Sequence, residues 1–308
     1  MVDNFGRSLT LGVEEELMLL DPETLALAPG VERLLPREGL KTELFSCLVE
    51  TNTPVCETAF EAREELVRLR RLVVERAARQ GLVVAATGSH PFSIPEEQPI
   101  VDEPRYLEMV EELGSIAKAQ LVCGLHVHVG MESFDACLRA LAGIRLWLPA
   151  LLELSANSPY LVGEETGALS SRLSRLRQLP RAGPPPRLET VADWEAAVTA
   201  AGVDYTRIWW DARPHPRLGT LEVRIADQAT SVERAAALVA LVQALCAAPP
   251  EPGPDLIAAV EPAARELGTW ELVESLRDPV EALRQLEVGR RDGLEAVAAD
   301  LVKRSAAA

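Results

Sequence analysis

Carboxylates and imidazoles recur along this chain at the spacing of β-strands. Gly12-Val13-Glu14-Glu15-Glu16-Leu17 sets three glutamates in an apolar run, and Glu50 and Glu57 flank the turn-like Asn52-Thr53-Pro54. Gly124-Leu125-His126-Val127-His128-Val129-Gly130 carries two histidines, and Thr220-Leu221-Glu222-Val223-Arg224 sets a carboxylate two residues from a guanidinium. Side chains of a strand alternate between its faces, so Glu14 shares a face with Glu16, His126 with His128, and Glu222 with Arg224. Such groups crowded on one sheet surface repel or stay desolvated unless a cation sits among them. A donor set dominated by carboxylate oxygen suits Mg2+ or Mn2+, and the neighbouring arginine suits a phosphate.

Blander uses compete with each of these. A glutamate run can be a solvated strand end, but Leu11, Val13, Leu17 and Leu19 mark this strand as central. Glu15 then falls on the apolar face and needs an arginine partner there. The HxH spacing is also met in zinc hydrolases, and a cross-strand ion pair would account for Glu222 and Arg224. Asp211 and Arg213 repeat the i, i+2 pattern just upstream. His90 and His215 stand beside prolines and read as structural, with His215 near enough to Arg213 to line a site.

The elements that must position these groups are legible in outline. Strands are expected over Leu9–Leu20, within Glu43–Glu57, and over Leu82–Gly88, Leu121–Gly130, Arg207–Arg213 and Thr220–Ala226. Helices are expected over Ala62–Gln80, Arg105–Gly114, Phe134–Leu154, Val191–Ala201 and Ser231–Ala248, the last with Ser231 as N-cap. A polar stretch rich in Gly and Pro runs from Ser155 to Pro186. The segment Pro249–Pro254 reads as a linker, and Leu256–Arg304 as helical hairpins. Isolated strands interleaved with helices give an α+β fold with a curved, mostly antiparallel sheet flanked by helices. The expected organisation is a catalytic domain over residues 1–248, with 249–308 a linker and helices packing on that same domain.

Composition excludes some partners. The 308 residues are 48% hydrophobic and 25% charged, with a net charge of −16. So acidic a surface repels nucleic acid. Lys41, Lys118 and Lys303 are the only lysines, so phosphate contacts fall to arginine. Five scattered cysteines without a CxxC pair fit reduced thiols. No apolar signal core opens the chain, and Arg139 and Arg145 break the longest apolar run, so a cytoplasmic protein off the membrane is expected.

Taken in order, these motifs resemble the YbdK family, the carboxylate–amine ligases related to type 2 glutamate–cysteine ligase. The likeness rests on Gly12–Leu17, Val49–Thr58, Cys123–Gly130 and Trp209–Arg224, with Ser155–Pro159 and Gly183–Pro186 in support. It implies a glutamine synthetase-like fold that binds ATP and two or three Mg2+ ions, with Mn2+ as an alternative. By resemblance, Glu16, Glu50 and Glu57 would hold the metal nearer the acceptor carboxylate, and Glu14, His126 and Glu222 the metal on the ATP phosphates. His128 and Arg224 would contact phosphate. Arg213 and Arg172 would stabilise the transferred phosphoryl group or hold the substrate carboxylate. The implied reaction activates a carboxylic acid as its acyl phosphate for attack by an amine, the pair being glutamate and cysteine in the named type. A symmetric homo-oligomer is the default association.

After Ala248 the chain departs from the family pattern, going from the Pro-rich segment directly to helices, with a few dozen residues absent. That departure keeps a second reading open, a homologue that binds nucleotide or amino acid without turnover. A third, a zinc-type hydrolase working without ATP, rests on the HxH pair.

Overall fold

The computed structural model describes residues 4–307. Seven strands form one sheet: β1 (Leu11–Leu20), β2 (Leu40–Thr42), β3 (Leu48–Asn52), β4 (Val83–Ala85), β5 (Leu125–Gly130), β8 (Ala212–His215) and β9 (Thr220–Val223). Strands β6 (Tyr160–Leu161) and β7 (Glu164–Glu165) make a separate small hairpin. The main order is β2-β3-β1-β5-β9-β8, with β4 also on β1, and every pairing is antiparallel. The fold is thus α+β, and β1 is central.

Alternation in β1 sorts its side chains cleanly. Leu11, Val13 and Glu15 are buried on one face while Gly12, Glu14 and Glu16 are partly exposed on the other. The apolar face continues through Leu125, Val127 and Val129 of β5 and Leu221 and Val223 of β9. It packs against helices Phe134–Ser155 and Val232–Ala247, whose buried side chains belong to the same core. A second core gathers Leu17–Leu20, β3, β4 and the C-terminal residues Val297 and Leu301. Helix Ala59–Arg79 contributes to both cores.

Helix starts follow capping chemistry. Thr58, Ser133, Thr190 and Ser231 each accept from a backbone N–H of the first turn, and Thr190 with Asp193 completes a capping box. The linker is packed rather than loose: Trp147 donates to the Pro250 carbonyl at 3.0 Å, and Pro249 lies where a Cβ on Gly143 would stand.

One expected strand and one expected loop differ. The strand expected over Arg207–Arg213 begins only at Ala212, because Tyr205–Arg207 forms a 3-10 turn. Pro214 is tolerated within β8 because this is an edge strand. The stretch expected as a long loop after Ser155 contains the β6–β7 hairpin and a helix, Ser171–Leu176.

Candidate active site

Strand register assembles the site. Glu14 lies opposite His126 and Glu16 opposite Glu50. His128 lies opposite Gly12 on one side and Glu222 on the other, and Glu222 faces Arg213 of β8. Lys41 of β2 pairs with Glu50. Directly opposed residues of an antiparallel pair bring their Cβ atoms to within about 5.5 Å, so the sheet alone gathers these groups on one surface.

The side chains resolve into two clusters. Glu14, His126 and Glu222 each offer one donor atom, all within 4.8 Å of one another, and Glu16, Glu43 and Glu50 do the same. His126 joins the two, its Nδ1 at 3.3 Å from Glu14 and its Nε2 at 3.9 Å from Glu16.

Electrostatics separate the clusters. Burial pushes the Glu14 carboxyl up, but the adjacent imidazoles of His126 and His128 outweigh it and hold the group well below its ordinary value. Glu222 is likewise pushed up by burial and brought down further by Arg224 and Arg213. His126 is lowered to about 4 by burial and then by Arg224, which leaves a neutral imidazole. In the second cluster burial dominates. Glu16 is raised to about 7, with Arg172 opposing. Glu43 is raised well above the ordinary carboxylate range, first by burial and then by Glu16 and Glu50. Glu50 is raised by burial and by Glu14.

These residues fit a cation. The Nε2 atoms of His126 and His128 are buried without a hydrogen-bond partner, an uncommon state for a buried polar atom. Glu16, Glu43 and Glu50 bring three carboxylates within 4.8 Å of one another, and oxygen-dominated donor sets favour Mg2+ or Mn2+.

Two cavities flank the clusters, and both are lined by Glu14 and Lys41. One, of about 540 Å³, reaches past His128, Gly130, Val55 and Leu218. The other, of about 390 Å³, is lined by Glu16, Glu43, His126, Arg172 and Arg224.

Of the residues singled out in the sequence, Glu14, His126 and Glu222 come together, as do Glu16 and Glu50. Glu57 does not join them. It is exposed just before helix Ala59–Arg79, where its N–H donates to Glu61 at 2.7 Å. The carboxylate that lies within 4.8 Å of Glu16 and Glu50 is Glu43. His128 is fixed by Thr220, with 3.1 Å between Nδ1 and the hydroxyl. Arg224 contacts Glu222 and His126. Arg213 is committed to the protein: Nε donates to Glu222 at 2.7 Å and Nη1 donates to the carbonyls of Tyr205, Thr206 and Ile208. That geometry orients Glu222, and Arg213 also lines the smaller of the two cavities. Arg172 is buried and donates to the carbonyls of Arg224 and Ile225 at 3.1 Å, with its Nε unpaired. Asp211 is bound to Arg177 at 2.7 Å. Glu15 has its arginine, Arg70, at 2.6 Å.

Sequence reasoning passed over Glu43 and Lys41. The signal available for Lys41 was its rarity in an arginine-rich chain. For Glu43 it was a carboxylate just before the apolar Leu44–Phe45.

This chain is similar to several known proteins. Over 247 residues it is 40% identical to a protein of Herpetosiphon aurantiacus provisionally named glutamate–cysteine ligase 2, covering 77% of this chain but 64% of that relative. It is 41% identical over 269 residues to a Rubrobacter xylanophilus protein provisionally named glutamate–cysteine ligase 2-3, covering 83% and 74%. The matched span is thus under two thirds of the first relative's length. Among solved structures, a bifunctional glutathione synthetase from Pasteurella multocida superposes with a TM-score of 0.68 at 15% identity, over 97% of this chain and 52% of that one. Glutamate–cysteine ligase from Francisella tularensis in complex with AMP superposes with a TM-score of 0.64 at 13% identity, over 98% and 89%. Both likenesses concern the fold. The family model for glutamate–cysteine ligase family 2 matches residues 10–307, and the chain belongs to that family.

Proposed function

We propose that this protein is an ATP-dependent carboxylate–amine ligase. The observation that carries the reading is two cavities meeting at Glu14 and Lys41, between two clusters of cation-binding side chains. A nucleotide fits the larger cavity and an acid the smaller, so that the terminal phosphate and the acceptor carboxylate meet over Glu14 and Glu16.

The residues divide the work by place. Glu14, His126 and Glu222 would hold one divalent ion, and Glu16, Glu43 and Glu50 a second. Such ions, when bound, neutralise phosphate charge and draw the two anionic reactants together. His128 faces the nucleotide cavity with Nε2 at 3.6 Å from Glu14, and Thr220 fixes its ring. Arg224 and Arg172 bring positive charge to the acid cavity. The acid's oxygen attacks the γ-phosphorus, and ADP leaves. The amine then attacks the acyl carbon, phosphate leaves, and the amine's proton passes to solvent or phosphate. The family name points to glutamate and cysteine as the acid and amine.

The test is ADP release from Mg2+-ATP with glutamate, with cysteine, with both, and then with a wider panel. Release that requires an acid and an amine together is expected, and Glu14→Gln should reduce it at least a hundredfold. Nucleotide binding without turnover across the panel would instead favour a non-catalytic homologue. Full activity in Glu14→Gln would overturn the site.

A further inference from the structure

Behind the cation clusters lies a buried charge that the chemistry above does not use. Glu15 is fully buried on the apolar face of β1, between the site residues Glu14 and Glu16 of the opposite face. Arg70, 1% exposed on helix Ala59–Arg79, meets it with Nε at 3.0 Å and Nη2 at 2.6 Å. The same guanidinium donates to the carbonyls of Ala229 and Thr230. Gln228, also fully buried, donates from Nε2 to Glu15 at 2.8 Å and accepts from the Glu16 N–H through Oε1 at 3.2 Å. One amide therefore joins the buried carboxylate to the backbone of a site residue.

The location gives this contact its meaning. Along one edge, β1 pairs with β5 at Leu11–Glu15 and with β4 at Met18–Leu20. Glu16 and Leu17 fall in the gap between those two partners. There the Glu16 N–H has only a long 3.3 Å bond to the Gly124 carbonyl and the bond to Gln228. On the other edge β3 pairs with Glu16 and Leu17, and across the gap Gly124 also donates its N–H to the Glu16 carboxylate at 2.6 Å, so the pitch of β1 that sets the angle between Glu14 and Glu16 depends here on few contacts.

We propose that Glu15, Arg70 and Gln228 are positioning residues, a clamp that holds β1 across this gap so that Glu14 and Glu16 diverge into separate cation clusters. The inference rests on the metal-binding reading given above. Groups that orient metal ligands from behind commonly change affinity by about 10- to 100-fold when removed.

Mn2+ titration followed by electron paramagnetic resonance, with thermal unfolding alongside, tests the clamp without any turnover. Gln228→Met keeps the side-chain volume and leaves Arg70 on Glu15, so the fold should persist. Its Mn2+ affinity is expected to fall at least tenfold. If that variant does not fold, Glu15→Leu with Arg70→Met decides the matter, since a buried ion pair replaced by apolar residues often keeps stability. It too should lose at least tenfold in affinity. A folded variant with wild-type Mn2+ affinity overturns the clamp alone. Wild-type protein that binds no Mn2+ overturns the metal reading and the clamp with it.

Discussion

Glu43 and Glu57 give opposite answers to the question of which carboxylate completes the second cluster, and substitution separates them. The donor atoms of Glu16, Glu43 and Glu50 lie within 4.8 Å of one another. At an effective dielectric constant of about 20, two unit charges at that distance repel by about 3.5 kcal/mol, or about 2.5 pKa units. Each carboxylate has two such neighbours, and burial pushes all three upward, so the cation-free cluster favours the protonated form, most of all at Glu43. In that state Glu43→Gln exchanges one neutral group for another of the same shape. The melting temperature in chelator should then stay within a few degrees of wild type or rise.

Cation binding should respond in the opposite sense. A divalent ion at the same distance attracts an ionised Glu43 by about 7 kcal/mol gross. The cost of deprotonating Glu43 and the water that fills its place offset part of that. A net loss of about 2.7 kcal/mol, a hundredfold in Mn2+ affinity, is the conservative expectation. Glu57→Gln, at an exposed position outside both clusters, should leave both quantities unchanged. Mn2+ titration and thermal unfolding of the two variants are sufficient. Wild-type affinity in Glu43→Gln together with lost affinity in Glu57→Gln would refute the cluster as drawn.

Two further expectations follow from the same geometry. Between its unfolded value of 4.5 and about 7, Glu16 is protonated in the folded cation-free protein and ionised in the unfolded chain. Its contribution to cation-free stability therefore falls as pH rises through that window, and a bound cation removes the proton. The gap in melting temperature between Mg2+-loaded and chelated protein should widen from about pH 5 to about pH 8; a gap independent of pH would contradict a protonated cluster. Gly124→Ala tests Arg172, because a Cβ there would collide with Arg172 Nη2 and stand 2.9 Å from His126 Nε2. Arg172 would have to leave the carbonyls it bonds, so ADP release should drop at least tenfold with unchanged far-ultraviolet circular dichroism, whereas wild-type turnover would mean that Arg172 takes no part.

What the sequence discloses here is set by how locally each feature is encoded. Alternation is local, so the shared faces of Glu14 with Glu16 and of His126 with His128, and the need of Glu15 for a buried arginine, were readable from a few residues. Which arginine was not: Arg70 lies 55 positions away on a helix. The Glu57 expectation came from the family resemblance and not from any local period, and β3 ends at Asn52. Beyond it Cys56 bridges to Leu11, and the chain turns into a helix. Glu43 reaches the cluster from between β2 and β3, a segment that has no period to read.

The chain after Ala248 shows the same limit from the other side. Its helices read as generic hairpins, yet Glu281 accepts from the N–H groups of Thr230 at 2.7 Å and Ser231 at 3.1 Å, with Arg304 on its other flank. Gln285 donates to Thr87 and Asn157, and Asn157 in turn donates to the Gln228 carbonyl at 2.8 Å. The last helices thus hold the segment 228–230 that braces β1 beneath the site. The C-terminal region therefore supports the geometry of Glu14 and Glu16 without lining either cavity that flanks them.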